Sequence, residues 1–308
     1  MAQDRSRGYP DLVWTLLLTT VALGADDPAT ARSAGMGGVR TALPSDNVTV
    51  AASPGMIGLH ERFDLNVMGA VGEGGGLHWA GGAVDARTSD FIAIGFAYAG
   101  DRYHPAFRAA ELPGWTPVDI EPTNIKRYHD LTLTTGVPLI GRRLCLGVSG
   151  TWSIYDHDSQ GSGASGDLDV GLGLKLIEPL SVAVAAEHLL PGDPTGDRPL
   201  TWNGGFGWQD SGPIAAAADV TWTDGADTPW GLAGGLDLKI NDGRIRAGGR
   251  WDGAAVGPTT WASWGVGIAN KEADLGYSMQ IPFGQGKQTA LSLVHTLGVQ
   301  FAAPRLDE

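Results

Sequence analysis

The chain has 308 residues, among them 47 Gly, 11 Trp and one Cys, and a formal net charge of −13. An acidic chain without clustered Lys and Arg cannot grip phosphates, which excludes nucleic acid as a partner, and Cys145 alone makes neither an internal disulfide nor a thiolate zinc site. Gly amounts to about 15% of the residues, twice the usual share of roughly 7%, which suits strands that bend or meet other backbone closely better than it suits a helical enzyme.

Taken in chain order, the first feature is a secretory signal. Arg5 and Arg7 precede an apolar run from Leu12 to Ala25, and Ala22-Leu23-Gly24 offers small residues for cleavage. The run is shorter than the roughly twenty residues a spanning helix needs, and no later segment is long and apolar enough to be one. Residues 1–25 are therefore expected to be a signal peptide, 26–61 an N-terminal plug or periplasmic segment, 62–301 a barrel, and 302–308 a C-terminal tail.

From Arg62 to Phe301 fourteen short stretches alternate apolar and polar residues. They are expected near 62–72, 76–87, 90–100, 129–140, 143–155, 167–177, 180–189, 199–209, 213–223, 229–240, 244–252, 259–269, 273–283 and 290–301. Strand side chains alternate with period two, so each stretch has one greasy face and one wet face. Every second link is tight (Thr88-Ser89, Gly141-Arg142, Glu178-Pro179, Ser211-Gly212, Asp242-Gly243 and Asn270-Lys271-Glu272) and the others are longer. Short turns at one end and long loops at the other are what outer-membrane barrels show, and an even strand count returns both chain ends to the periplasmic side. The pattern predicts an all-β, closed antiparallel transmembrane barrel of about fourteen strands with an N-terminal lumen plug, in the outer membrane of a Gram-negative-type bacterium.

Parity assigns the faces. Leu168, Val170, Leu172, Leu174 and Leu176 fall outward, as do Trp230, Leu232, Leu236, Leu238 and Ile240. Asp64, Asp130, Asp169, Lys175, Glu187, Asp219, Asp237, Lys239, Arg244, Arg246 and Arg250 fall inward. A charge facing the lipid midplane costs about 2–4 kcal/mol, which explains the segregation. His188 and His295 are expected outward, tolerable as neutral imidazoles. Trp152, Trp202, Trp222, Trp230, Trp251 and Trp261 are expected outward near the loop ends, with Trp208, Phe283 and Phe301 also outward, forming interfacial girdles.

The segment from Ala31 to Leu59 contains Gly35-Met36-Gly37-Gly38, an Ala- and Asp-containing stretch, and Ser53-Pro54-Gly55. It resembles the start of the FadL and PorV superfamily of outer-membrane barrels, whose corresponding turn has an Asn-Pro-Ala form. The final hairpin, YSMQIPFGQGKQTALSLVHTLGVQF, resembles that family's last hairpin as well. The resemblance implies that Gly35 to Leu59 folds into the lumen as a plug beside which hydrophobic molecules pass. Gly35, Met36, Gly37, Gly38, Ser53, Pro54 and Gly55 are then the expected plug and ligand-path residues.

Three further features bear on chemistry. The loop from Asp101 to Tyr128 carries Tyr103, Phe107, Leu112 and Trp115, an expected extracellular lip that either collects a hydrophobic ligand or packs on itself. Asp156, Asp158 and Asp167 follow a calcium-loop spacing, but the strand flanks and an Asp at the twelfth position make a flexible acidic loop the default. The inward Asp237, Lys239, Arg244, Arg246 and Arg250 either line a conduit or pair across strands, with Asp237 and Arg246 as a candidate pair. No HExxH, GxSxG or Walker loop is present, so no enzyme and no cofactor is expected. The expected function is passive transport of small hydrophobic or amphipathic molecules, with outer-membrane lipid as surroundings. The alternative is a PorV-like secretion or surface-assembly barrel that binds protein partners through its loops.

Overall fold

The computed structural model describes residues 30–43, 53–72, 76–103, 126–157, 161–190, 199–209, 212–253, 259–270, 272–283 and 293–304. A short helix, α1 (Ala31–Gly35), and a 3-10 turn (Pro54–Met56) precede the strands. These are β1 (Arg62–Gly72), β2 (Gly76–Asp85), β3 (Ala93–Tyr103), β4 (Lys126–Leu139), β5 (Leu144–His157), β6 (Gly161–Ile177) and β7 (Leu180–Glu187). The second half comprises β8 (Thr201–Gln209), β9 (Ile214–Thr223), β10 (Trp230–Ile240), β11 (Gly243–Asp252), β12 (Thr259–Ala269), β13 (Ala273–Phe283) and β14 (Val294–Pro304). Each strand pairs antiparallel with its chain neighbours, and β1 pairs with β14 to close the cylinder. The expected signal at 1–25 lies outside the described residues.

Alternation drives the closure. Along β1, Leu65, Val67 and Val71 are exposed while Asp64, Asn66, Met68 and Ala70 are buried. Val67, Leu133, Leu236 and Leu297 are more than half exposed, on four different strands. Such an exterior is stable only against lipid. An eleven-residue strand such as β1 rises about 36 Å, which at the usual tilt of about 45° gives the roughly 25 Å height of an outer-membrane apolar band. The chain is therefore an outer-membrane β-barrel, with its tight-turn end periplasmic and its long-loop end extracellular.

The girdle is clear at the extracellular end. Trp202 lies opposite Trp222, and Trp222 opposite Trp230, a row of three indoles across β8, β9 and β10. Trp261 departs from expectation. It lies opposite the inward Arg250, packs against Met68, Ala70 and Val294, and carries the Arg250 guanidinium 5.7 Å above its ring. The outward indole of β12 is Trp264, edge-on to Tyr277, whose hydroxyl meets His295 Nδ1 at 2.7 Å. His295 is outward as expected, its polarity shared with that phenol.

His188 departs too. β7 stops at Glu187, and His188 takes a left-handed φ of 63° that turns its ring toward the inward Asp167. Glu178-Pro179 joins β6 to β7 as expected, and Gly141-Arg142 is the centre of a four-residue turn between Leu139 and Leu144. Ser211 and Lys271 lie outside the described residues, and two links are adjusted. Asn241-Asp242 rather than Asp242-Gly243 makes the β10–β11 turn, Asn241 supplying the positive φ of 56° that such a hairpin turn favours. Thr88-Ser89 is part of a longer connection, because Asp85 accepts from the Arg87 N–H and the Thr88 hydroxyl and ends β2 early. Beyond Phe301, Ala302 to Pro304 continue β14 and pair with Asp64 to Arg62, so the first three residues of the expected tail belong to the closing seam.

Candidate functional site: the occupied lumen

Residues 30–43 and 53–60 lie against the inward parity of strand after strand, from β4 round to β14. A segment that touches most of the ring on its buried face is inside the ring. The contacts fall into three zones.

In the first zone α1 is capped by the Thr30 hydroxyl, which accepts the Ser33 N–H at 3.1 Å. Arg32 Nε donates to Asp237 Oδ2 at 3.1 Å, and Arg244 Nη1 donates to the same oxygen at 2.9 Å. Asp237 faces Arg246 in register, and Arg246 Nη2 donates to Asp274 Oδ2 at 2.5 Å. Three guanidiniums thus share two carboxylates, with Arg246 only 1% exposed. Ser263 Oγ adds a bond to the Gly35 carbonyl at 3.1 Å. Beyond it, Met36 sits on bare wall. Gly235 and Gly248 are opposite each other, and a Cβ on either would come within 2.3 Å of the Met36 backbone. Gly37 has φ 85°, and its own Cβ would meet the Gly249 oxygen at 2.6 Å. The Gly-Met-Gly-Gly block is thus complementary to a glycine pair on β10 and β11.

In the second zone the N–H groups of Arg40 and Thr41 donate to Asp219 Oδ2 at 2.5 and 2.9 Å. Arg40 Nη2 reaches Glu187 Oε2 at 3.2 Å, and the Ala42 carbonyl lies where a Cβ on Gly207 would be.

The third zone is the Ser53–Leu59 stretch. The Pro54 oxygen lies 2.0 Å from where a Cβ of Gly147 would sit, and the Gly55 oxygen 2.3 Å from that of Gly173. Gly55 itself has no room for a Cβ, which would fall 2.5 Å from the Gly173 nitrogen. This explains why Gly stands where the Asn-Pro-Ala form has Ala. Met56 and Leu59 pack with Cys145, Ala183 and Ala42, and Ile57 packs with Val84, Ala86 and Ala93. Arg142 ties the end of this stretch to the β2–β3 connection: it bonds Glu61, the Gly58 carbonyl, and the carbonyls of Ala86 and Ser89 at 2.8 to 3.2 Å. Burial holds His60, just inside, at a pKa of about 3, with Arg62 and Lys175 adding to the shift.

Above these zones the inner wall combines polar pairs with the apolar cluster of Met68, Ala70, Val294 and Trp261. His78 Nδ1 meets Asp101 Oδ1 at 2.6 Å, and hydroxyl pairs join Thr132 to Thr151 and Thr134 to Ser149. Lys239 lies at the periplasmic end of β10, opposite Arg244. A small recess, open to solvent, remains beside α1, bordered by Thr30, Arg32, Asn66, Arg246 and Asp274.

Of the expected lip, Tyr103 ends β3, whereas Phe107, Leu112 and Trp115 lie outside the described residues. Among the described residues the calcium spacing does not bring its carboxylates together. Asp158 lies outside the described residues, and the hairpin sets Asp156 opposite Ser162 but Asp167 opposite Thr151, far along the ladder. An extended strand from Gly161 cannot curl round an ion; Asp156 pairs instead with Arg127 at 2.8 Å. Arg32, Arg40, Ser263, Asp274 and Arg142 escaped sequence reasoning. Of these only Arg142 entered the sequence reading, as half of a tight link, and nothing local marked its role.

No protein-family model matches this chain, and no curated protein matches it in sequence. Its fold is shared with solved structures. The monoaromatic hydrocarbon channel CymD superposes with a TM-score of 0.61 at 12% identity, covering 89% of this chain and 96% of that one. The toluene transporter TodX of Pseudomonas putida gives 0.60 at 13% identity over 89% and 97%. The toluene transporter TbuX of Ralstonia pickettii gives 0.57 at 14% identity over 90% and 97%.

Proposed function

We propose that this barrel is a passive outer-membrane channel for small hydrophobic or amphipathic molecules, not an enzyme. The observation that carries the reading is the shared fold: nearly the whole length of a hydrocarbon channel and of two toluene transporters finds its equivalent here. The N-terminal segment fits the same reading, since a lumen occupied at residues 30–43 and 53–60 does not suit a wide, unselective pore. Movement runs down a concentration gradient, because the sequence has no nucleotide-binding loop to drive it.

In this reading Tyr103, Phe107, Leu112 and Trp115 collect the ligand from outside. The segment carrying Gly35 to Gly38 and Ser53 to Gly55 is the plug that the ligand must pass. Asp237, Arg244 and Arg246 hold the plug rather than conduct. Deletion of Ala29 to Ile57 tests it. Proteoliposomes bearing the shortened barrel are expected to take up a hydrophobic dye several-fold faster than those bearing the full chain. Equal uptake by the two would overturn the plug role, and failure of the full chain to admit toluene above empty liposomes would overturn the channel.

A further inference from the structure

A second cluster, apart from the plug contacts, sits where β6 and β7 reach the extracellular rim. Asp167 and Asp169 share the inward face of β6, with Leu168 turned away between them. β7 ends one residue past its last bulk-apolar position, and His188 follows with φ 63°. That left-handed residue aims the imidazole inward: its backbone N–H donates to Asp169 Oδ1 at 3.0 Å while the ring Nδ1 faces Asp167 Oδ2. One donor atom from each of Asp167, Asp169 and His188 lies within 4.8 Å of the other two. Glu187 bears on the same corner, and it is held by Arg40. Three carboxylates therefore crowd one guanidinium and one imidazole. Like charges at facing strand positions repel, and a cation placed among them removes the repulsion.

We propose that Asp167, Asp169 and His188 bind one divalent transition-metal cation of the Zn²⁺ type. Two carboxylate oxygens and one imidazole nitrogen are a borderline-soft donor set, which suits Zn²⁺ and its neighbours. Calcium requires six to eight oxygens and gains nothing from the nitrogen. The charges balance, two carboxylates against a dication, with imidazole neutral. The cation takes the place of any proton held between His188 Nδ1 and Asp167, and that proton leaves to solvent. The site lies on the wall, so it stands whether or not the barrel transports.

The test uses the full-chain barrel, purified in detergent and stripped with chelator. Titration calorimetry with Zn²⁺ is expected to show one saturable ion per chain. His188→Ala and Asp169→Asn should each weaken it at least about tenfold, whereas His295→Ala on the outer face should leave it unchanged. Absence of saturable binding overturns the site, as does full binding by His188→Ala, or Ca²⁺ binding of equal strength that ignores His188. Should a variant fail to fold, X-ray absorption at the zinc edge of the unaltered protein decides. One imidazole among oxygen ligands supports the site, and none or several overturns it.

Discussion

The two ends of the N-terminal segment are seated differently. Residues 30–38 lie against β10 to β14 through charges and hydrogen bonds, centred on Arg32, Asp237 and the Gly35 carbonyl. Residues 53–59 lie against β4 to β7 through apolar side chains and backbone laid on glycine. Both ends need a wall stripped of Cβ atoms, so close approach is common to them. What differs is exchangeability. When Arg32 leaves, Asp237 keeps Arg244, and no carboxylate is stranded. When Pro54 and Gly55 leave, bare backbone and apolar surface lose their partners together. In the 30–38 seat the charges keep partners when the segment leaves, and the buried Met36 is what loses them.

Substitutions can break this contrast. Asp237→Asn has the largest expected effect, because it leaves two buried guanidiniums and the half-buried Arg244 with one carboxylate. A loss of about 3–5 kcal/mol is expected in denaturant unfolding in detergent. Protease should then cut within 30–43 while sparing 53–60. Cutting at both ends alike would show that the seats are not independent. Gly147→Ala attacks the other seat, since its new Cβ would fall 2.0 Å from the Pro54 oxygen. Here about 1–3 kcal/mol is expected to be lost, with the protease pattern reversed; wild-type stability would mean the glycine contact does not hold the segment.

The smallest effect near neutrality belongs to His60→Gln. In the folded chain burial keeps His60 neutral down to pH about 3, whereas the unfolded chain takes up the proton near pH 6.5. Between those values the unfolded state binds more protons, so stability should fall as pH falls. The Gln variant should lose that slope and match the wild type above pH 7. Parallel melting curves for the two proteins from pH 7 to pH 4 would remove His60 from the account.

Much of the cylinder was legible because a period of two and alternating link lengths are local signals. The strand boundaries from 62–72 and 273–283 needed no tertiary information. The Gly-Met-Gly-Gly motif was legible only as a block of letters. Its physical reason, the Gly235–Gly248 pair, lies some two hundred residues away in the chain and has no local mark. Trp261 misled because β12 carries indoles on both parities, and Gly265 and Gly267 leave its inner face without side chains to set the phase. His188 misled for a different reason. A period-two reading assumes extended backbone, and one left-handed residue at a strand end reverses the face.

The pairing of Arg62 with Pro304 gives the chain a late dependency. Until its final residues arrive, the sheet is a ribbon with two raw margins, each offering unpaired N–H and C=O groups to hydrocarbon that cannot satisfy them. Pro304, with no N–H to give, is a natural knot at the end of that thread. The N-terminal segment hangs from the opposite margin, so stitching the cylinder shut and housing its occupant are two outcomes of one event.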